Sequence, residues 1–232
     1  QGADWRIAVN TTDPNQGCIN ALIASADSDP AQAFSDAVTA GINGSGNERG
    51  ILQAVSGLRA DCVNTGWIRE SSSIAVLIVS DEDNCSAAGT HCPNLPYNSE
   101  QYLIDYLSSI REIRSEARVY GIISHPSAPC STAYNTSQQY AAAIEQTGGA
   151  FGDICQSDYT NTLEQISGNM ASILNGQFTL TQIPDSAEVQ VFVNDIPAVT
   201  GWALVGNVLE FSVPPPADSI IKVSYQHNST VR

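Results

Sequence analysis

Residues 72–86 read Ser-Ser-Ile-Ala-Val-Leu-Ile-Val-Ser-Asp-Glu-Asp-Asn-Cys-Ser. Ile74 to Val79 is an unbroken apolar run, β-branched at Ile74, Val76, Ile78 and Val79. It is too short for a self-capping helix, and such runs read as strands buried on both faces of a parallel sheet covered by helices. The run stops at Ser80-Asp81-Glu82-Asp83. In open α/β sheets the carboxyl ends of the strands border the ligand crevice. An apolar strand, an acidic loop and a cysteine therefore make a candidate site, set against the simpler reading of a solvated acidic turn.

A chain of 232 residues fits one domain, or one domain with a small appendage. Nine Lys+Arg stand against 24 Asp+Glu, for a formal net charge of −15. Such a surface repels phosphate backbones and anionic lipid and attracts cations. This argues against nucleic-acid partners and membrane-surface binding. No apolar run approaches the ~20 residues of a membrane span, which argues against membrane insertion. Six cysteines, Cys18, Cys62, Cys85, Cys92, Cys130 and Cys155, sit in or beside expected loops. No C-x-x-C pair occurs, so zinc-ligand spacing is absent and disulfides in an oxidising compartment are expected, with buried free thiols as the alternative.

Along the chain, Trp5–Val9 and Ala21–Ser25 read as short strands. Asp29 and Pro30 open a helix as N-cap and first residue. Phe34, Ala37 and Val38 form its expected inner stripe, and Gly41 ends it. Ser45 and Glu48 have capping-box spacing ahead of a helix burying Ile51, Leu52, Val55 and Leu58. After the Ile74–Val79 strand comes an amphipathic helix through Tyr102, Leu103, Tyr106, Leu107, Ile110 and Ile113. Val119–Ile123 is the next buried strand. A helix capped by Thr136 or Ser137 follows and stops at Gly148-Gly149. Ala150–Ile154 is a third strand, and Leu163, Ile166, Met170, Ile173 and Leu174 mark the last helix, ended by Gly176. Strands alternating with helices indicate βαβ units and a parallel sheet. Beyond Gly176 the period shifts to two, through Val189, Val191 and Val193, then Val208–Val213, then Ile221, Val223 and Tyr225. The expected fold class is therefore α/β, an open, mostly parallel Rossmann-like sheet with helices on both faces over residues 1–176, followed by a small all-β module at 177–232.

Four blocks in this order resemble the von Willebrand factor type A (VWA) domain, in the cysteine-containing form common in bacterial secreted proteins. They are Arg6-Ile-Ala-Val-Asn-Thr-Thr-Asp13, Gly44-Ser-Gly-Asn-Glu-Arg-Gly50, Val76-Leu-Ile-Val-Ser-Asp-Glu-Asp-Asn-Cys-Ser86 and Gly148-Gly-Ala-Phe-Gly-Asp-Ile-Cys155. The tail resembles the small β-sandwich that often follows such domains. The resemblance implies an extracellular, cell-surface or periplasmic location and a role in adhesion through protein–protein contact, without enzymatic activity. It also implies a divalent cation at the top of the sheet, held by D-x-S-x-S after the first strand, a Thr from a second loop and an Asp from a third. By the match, Asp81 stands at the third-loop Asp and Ser45 at the second-loop Thr. The alternative to a ligand role is the capping box for Ser45, which needs no metal, and a solvated turn for Asp81. No D-x-S-x-S occurs in these residues, and the match begins at the family's second strand. Mg²⁺ or Ca²⁺ binding by this chain alone is therefore expected to be weak, since two oxygen ligands fall short of a hard cation's needs.

The family's first strand lies between the strands that here are Trp5–Val9 and Ile74–Val79. The expectation is a gap filled by an upstream segment or by a strand from another chain. The alternative is direct pairing of Ile7–Val9 with Val76–Ile78. A second functional reading makes the chain a metal-free structural subunit of a surface assembly completed in that way. The third is a hydrolase using His125, for which a Ser80–His125–Asp81 relay can be drawn; packing of its own loop is the simpler role for His125. Cys85 and Cys92 bracket a short loop and are expected to pair. Cys130 and Cys155 follow neighbouring strands and pair next, which leaves Cys18 for Cys62. Asn10, Asn43, Asn84, Asn135 and Asn228 head N-x-S/T sequons.

Overall fold

The computed structural model describes residues 4–13, 15–39, 41, 48–63, 66–69, 72–87, 90–91, 96–111, 117–184, 189–213, 215–216 and 219–226. Its elements run β1 (Arg6–Val9), β2 (Ala21–Ala24), α1 (Pro30–Val38), α2 (Gly50–Leu58), β3 (Ile74–Ser80), β4 (Ser86–Ala87), β5 (Thr90–His91) and α3 (Glu100–Ile110). Next come β6 (Ala117–Ile123), α4 (Gln138–Thr147), β7 (Phe151–Asp153) and α5 (Thr160–Gly176). The tail holds β8 (Gln177–Thr179), β9 (Gln190–Val193), β10 (Ile196–Pro197), β11 (Trp202–Val205), β12 (Val208–Phe211) and β13 (Ile221–Ser224). The chain forms two compact units, residues 1–166 and 167–232, which divide within α5.

The first unit is mixed α/β. β3, β6 and β7 form a parallel sheet in the order β3-β6-β7, with Ile74 opposite Ala117 and Ser80 opposite Ile123. Neighbouring residues of a strand point to opposite faces. One face carries Ile74, Val76, Ile78 and Ser80 beside Ala117, Val119, Gly121 and Ile123. Ile51 and Val55 of α2, Leu103 and Leu107 of α3, and Tyr140 and Ile144 of α4 join Ile74, Ile78, Val119 and Ile123 in a single core. A Cβ on Gly121 would stand 2.5 Å from Ile144 Cδ1, so α4 lies directly on β6.

The opposite face is covered unevenly. Tyr120 and Ile122 of β6 are buried. Thr162 of α5 packs so closely on Gly152 of β7 that a Cβ there would lie 2.3 Å from its side chain. On β3, however, Leu77 is 43% exposed and Val79 54%. The expectation that β3 is buried on both faces is therefore corrected: an apolar run records what the strand tolerates, and nothing among the described residues covers this side.

β1 and β2 form where the two successive strands are expected and pair antiparallel, with Arg6 opposite Ala24 and Val9 opposite Ala21. Asp29 caps α1 as expected, its side chain accepting the Gln32 N–H at 3.0 Å, and Pro30 is the first helical residue. The inner stripe of α1 is a second correction. No residue of this helix is buried, and Phe34 and Val38 are 41% and 50% exposed. Leu163 of α5 is likewise exposed, whereas Ile166 is buried.

α4 ends at Gly148, whose φ of +71° is the left-handed stop that glycine adopts without a Cβ penalty. Gly149 is required for a different reason: a Cβ there would stand 1.8 Å from the Val119 carbonyl oxygen. Disulfides join Cys18 to Cys62 and Cys130 to Cys155. Cys85 is also disulfide-bonded. Its expected partner, Cys92, lies outside the described residues, as does Ile113.

The second unit contains two three-stranded antiparallel sheets, β10-β9-β13 and β11-β12-β8. Leu180, Val191 and Leu209 are buried apolar residues among those described in it. Asn194 and Asp195 turn β9 into β10, with φ of +51° and +63°. Positive φ at both turn residues matches the twist of a two-residue hairpin, and Asn and Asp tolerate it best among non-glycine residues.

Candidate functional site

The loop after β3 divides its side chains between two tasks. Asp83 and Asn84 face inward. The Asp83 carboxylate accepts the Gln139 backbone N–H, at 3.0 Å to Oδ1 and 3.3 Å to Oδ2, in the first turn of α4. Burial pushes the Asp83 carboxyl up, against the backbone N–H groups that hold it down. Asn84 is 3% exposed; its Oδ1 accepts the Ile51 N–H at 3.1 Å and its Nδ2 donates to the Asn98 carbonyl at 2.7 Å. The Gly50 N–H donates to the Tyr140 hydroxyl at 3.2 Å, and burial raises that phenol above its ordinary range.

These contacts satisfy backbone donors that a helix start leaves unpaired. α2 has Arg49 at its N-cap, with no side-chain cap bond of its own. The capping-box expectation is corrected here. The described helix begins at Gly50, after Glu48, and the caps arrive from Asn84 and Tyr140, which are distant in sequence. Ser45 lies outside the described residues.

Asp81 and Glu82 belong to the outer side of the loop. Asp81 is exposed, and its carbonyl accepts the N–H groups of Tyr134 at 3.0 Å and Asn135 at 3.4 Å. The Glu82 carbonyl accepts the Ser137 hydroxyl at 3.2 Å. Glu48 ties this region to the end of β1, accepting a short hydrogen bond from Thr12 Oγ1. Its carboxyl is pushed up to about 6, first by burial and then by the negative charges of Glu82, Asp81 and Asp13. Four carboxylates, from the segments after β1, before α2 and after β3, therefore share one negative field.

That field attracts cations, but it is not a cage. Among the described residues, the one group of three or more His, Cys, Asp or Glu with ligand atoms within 4.8 Å of one another is Cys130, Asp153 and Cys155. Those three can hold a metal ion only when the cysteines are thiols. In the structure the two sulfurs are bonded to each other, and Asp153 Oδ1 accepts the Cys155 N–H at 2.8 Å. Hard cations want six or more oxygens at 2–2.6 Å, which the acidic residues do not supply as a set.

Beside Asp81 lies an open cleft of about 440 Å³, lined among others by Val79, Ser80, Thr132, Ile154 and Cys155. It borders the carboxyl end of the sheet. β3 pairs with β6 alone and β1 with β2 alone, so among the described residues each strand has one unpaired edge. Ile7–Val9 and Val76–Ile78 do not pair with each other.

His125 stacks on Phe151 at 3.8 Å between ring centroids. Its Nδ1 lies 2.7 Å from Ser127 Oγ and its Nε2 3.3 Å from Glu145 Oε1. Nδ1 is engaged within its own loop, whereas Nε2 is buried and makes no hydrogen bond among the described residues; Ser80 Oγ accepts the Glu82 N–H at 3.2 Å. Three sequon asparagines carry structural bonds. Asn10 donates to the Cys18 and Gln53 carbonyls, Asn84 caps α2, and Asn135 Oδ1 accepts the Asp83 N–H. Asn43 and Asn228 lie outside the described residues.

Sequence reasoning found Asp81 and the acidic loop but missed Glu48 and Asp13 as its electrostatic neighbours. The signal for these was present in Thr12-Asp13 and Glu48, each placed at the end of an expected element. Comparison with family models, curated proteins and solved structures finds no match to this chain.

Proposed function

We propose that the chain is an extracellular protein–protein interaction module of the VWA kind, whose parallel sheet is completed by a strand from outside residues 1–232. One observation carries this reading: among the described residues β3 pairs on one side only, with Leu77 43% and Val79 54% exposed beside that edge. An unpaired edge next to apolar side chains is a template for an added strand. Two disulfides support a non-reducing environment. No described helix is long and apolar enough to cross a membrane. The acidic field around Asp81 favours a divalent cation, Mg²⁺ or Ca²⁺, once the added segment contributes further oxygens; by resemblance Ser45 joins Asp81 in holding it.

The metal-free surface-assembly reading has its own support, because the Asp83 carboxylate and Asn84 Oδ1 are committed to helix caps. Calorimetric titration tests both. The probe is an extended peptide of about ten residues alternating valine and threonine, long enough to pair along a full strand. Binding that slows amide exchange in β3, and is lost when alternate peptide residues are proline, is expected. Cation-dependent affinity supports the adhesion form and cation-independent affinity the assembly form. Failure of the peptide to bind overturns the proposal.

A further inference from the structure

We propose that Cys130, Asp153 and Cys155 form a zinc site that the disulfide closes and reduction by a dithiol opens. In the reduced chain the two thiolates and the Asp153 carboxylate hold Zn²⁺, with water in the fourth position. The inference is independent of the strand-completion reading above.

The backbone already gathers the three residues. The Ile154 N–H donates to the Ile123 carbonyl at 3.1 Å and the Cys130 N–H to Ser124 Oγ at 3.3 Å, so both cysteines are tied to the end of β6. Their Cα atoms stand 6.0 Å apart. Two thiolates on one tetrahedral zinc lie ~3.8 Å apart, given the usual Zn–S bond length. Side-chain rotation alone reaches that spacing. The third ligand is in place, because both sulfurs and an Asp153 carboxylate oxygen lie within 4.8 Å of one another. Asp153 Oδ1 accepts the Cys155 N–H at 2.8 Å, which orients the carboxylate and leaves Oδ2 for the metal. Thr132 Oγ1, 2.7 Å from the Cys155 sulfur, supplies a hydroxyl donor to the thiolate. Outer hydrogen bonds of this kind orient ligands and raise affinity.

The donor set selects the metal. Thiolates suit zinc and disfavour Mg²⁺ and Ca²⁺, which want oxygen. Among the described residues the Cys18–Cys62 pair has no such third ligand, so it remains a covalent tie only.

Cys155 lines the open cleft beside Asp81, where a small dithiol reaches it. A reductant thiolate attacks the Cys155 sulfur; the S–S bond breaks, Cys130 leaves as a thiolate, and a mixed disulfide forms. The second reductant thiol then displaces Cys155, and the reductant departs as a cyclic disulfide. Two electrons and two protons have passed to the cysteines. Zinc displaces the two thiol protons and keeps its +2 state. The metal thereby replaces the covalent tie between the segment after β6 and the end of β7. Cysteines enter every chain as thiols, so the same site exists before oxidation.

Alkylation mapping tests this on the full chain. The chain is reduced mildly with dithiothreitol, freed of it without air, and treated with iodoacetamide with or without Zn²⁺. Peptide mass mapping then reports each cysteine. Cys130 and Cys155 are expected to open before Cys18 and Cys62, and zinc should slow their labelling about tenfold or more. Asp153→Asn should remove most of that protection, by the roughly tenfold or greater loss that a weakened ligand shell brings. Ca²⁺ should give none. Labelling of Cys130 and Cys155 that ignores zinc would overturn the site. Protection that survives Asp153→Asn would overturn it too, since the thiols would then bind metal without the carboxylate. Opening of Cys18–Cys62 ahead of Cys130–Cys155 would contradict the proposed access through the cleft.

Discussion

The Asp83 carboxylate receives the Gln139 backbone N–H at 3.0 and 3.3 Å across 56 residues of sequence. Its neighbour Asn84 does the same for Ile51, 33 residues away. One loop thus pins the starts of two helices and holds Asp81 and Glu82 outward at the end of the sheet. Asp83→Ala should cost about 1–2 kcal/mol, the usual range for a lost cap. Urea unfolding of the variant at neutral pH measures it, and an unchanged midpoint would mean that the cap carries no stability.

Glu48 gives a pH dependence with a definite sign. Its folded-state value, about 6, lies above the ordinary 4.5, so the folded chain holds this proton more tightly. Its contribution to stability is fully present below pH 4.5 and lost as pH rises through about 6. Between pH 7 and pH 4.5, Glu48→Gln should flatten the stability profile relative to the parent chain. Parallel denaturation series at several pH values check this, and superimposable profiles would count against the shared acidic field.

Gly149 faces the Val119 carbonyl so closely that an alanine Cβ would lie 1.8 Å from it. Gly149→Ala should cost about 3 kcal/mol or more, in the upper range for overpacking. Gly148→Ala, which only strains a left-handed stop, should cost about 1 kcal/mol. Thermal melts of the two variants should show this order.

The Cys18–Cys62 disulfide spans 44 residues. On the chain-entropy account a loop of that size contributes about 4 kcal/mol. Replacing both cysteines by alanine should lower stability by an amount of that order, measured by denaturant unfolding of the disulfide-intact and substituted chains.

Cation affinity should be weak. The carboxylates of Asp13, Glu48, Asp81 and Glu82 share a field without forming a close set of ligands. Calorimetry with Ca²⁺ or Mg²⁺ alone should give a dissociation constant of about 1 mM or weaker. Tight stoichiometric binding would place a complete site in residues 1–232.

Local patterns made much of the fold legible. Asp29-Pro30 marked the start of α1, Gly148 the end of α4, the periodic apolar residues marked α3, and the β-branched run marked β3. The pairing Cys130–Cys155 followed from its place after neighbouring strands, and Cys18–Cys62 from elimination. What stayed hidden is long-range. Tyr140 reaches Gly50 across 90 residues, and a phenol on a helix gives no local sign of the donor it will cap. The bare side of β3 was hidden for a related reason. Leu77 and Val79 are apolar whether or not something covers them, so the sequence records the preference and the structure reports the vacancy.

The most direct test of the open edge is amide hydrogen exchange on the free chain, followed residue by residue along β3 and β6. Among the described residues β6 has a partner on each side, β3 and β7, whereas β3 has only β6. In a parallel ladder, alternate residues of a strand send their N–H groups to opposite neighbours. The N–H groups of β3 directed away from β6 should therefore exchange rapidly while those directed toward it stay protected, and the central residues of β6 should be protected throughout. If every amide from Val76 to Val79 is as slow as those of Val119 to Ile122, the β3 edge is already covered, and the account of this chain as a sheet awaiting a partner is wrong.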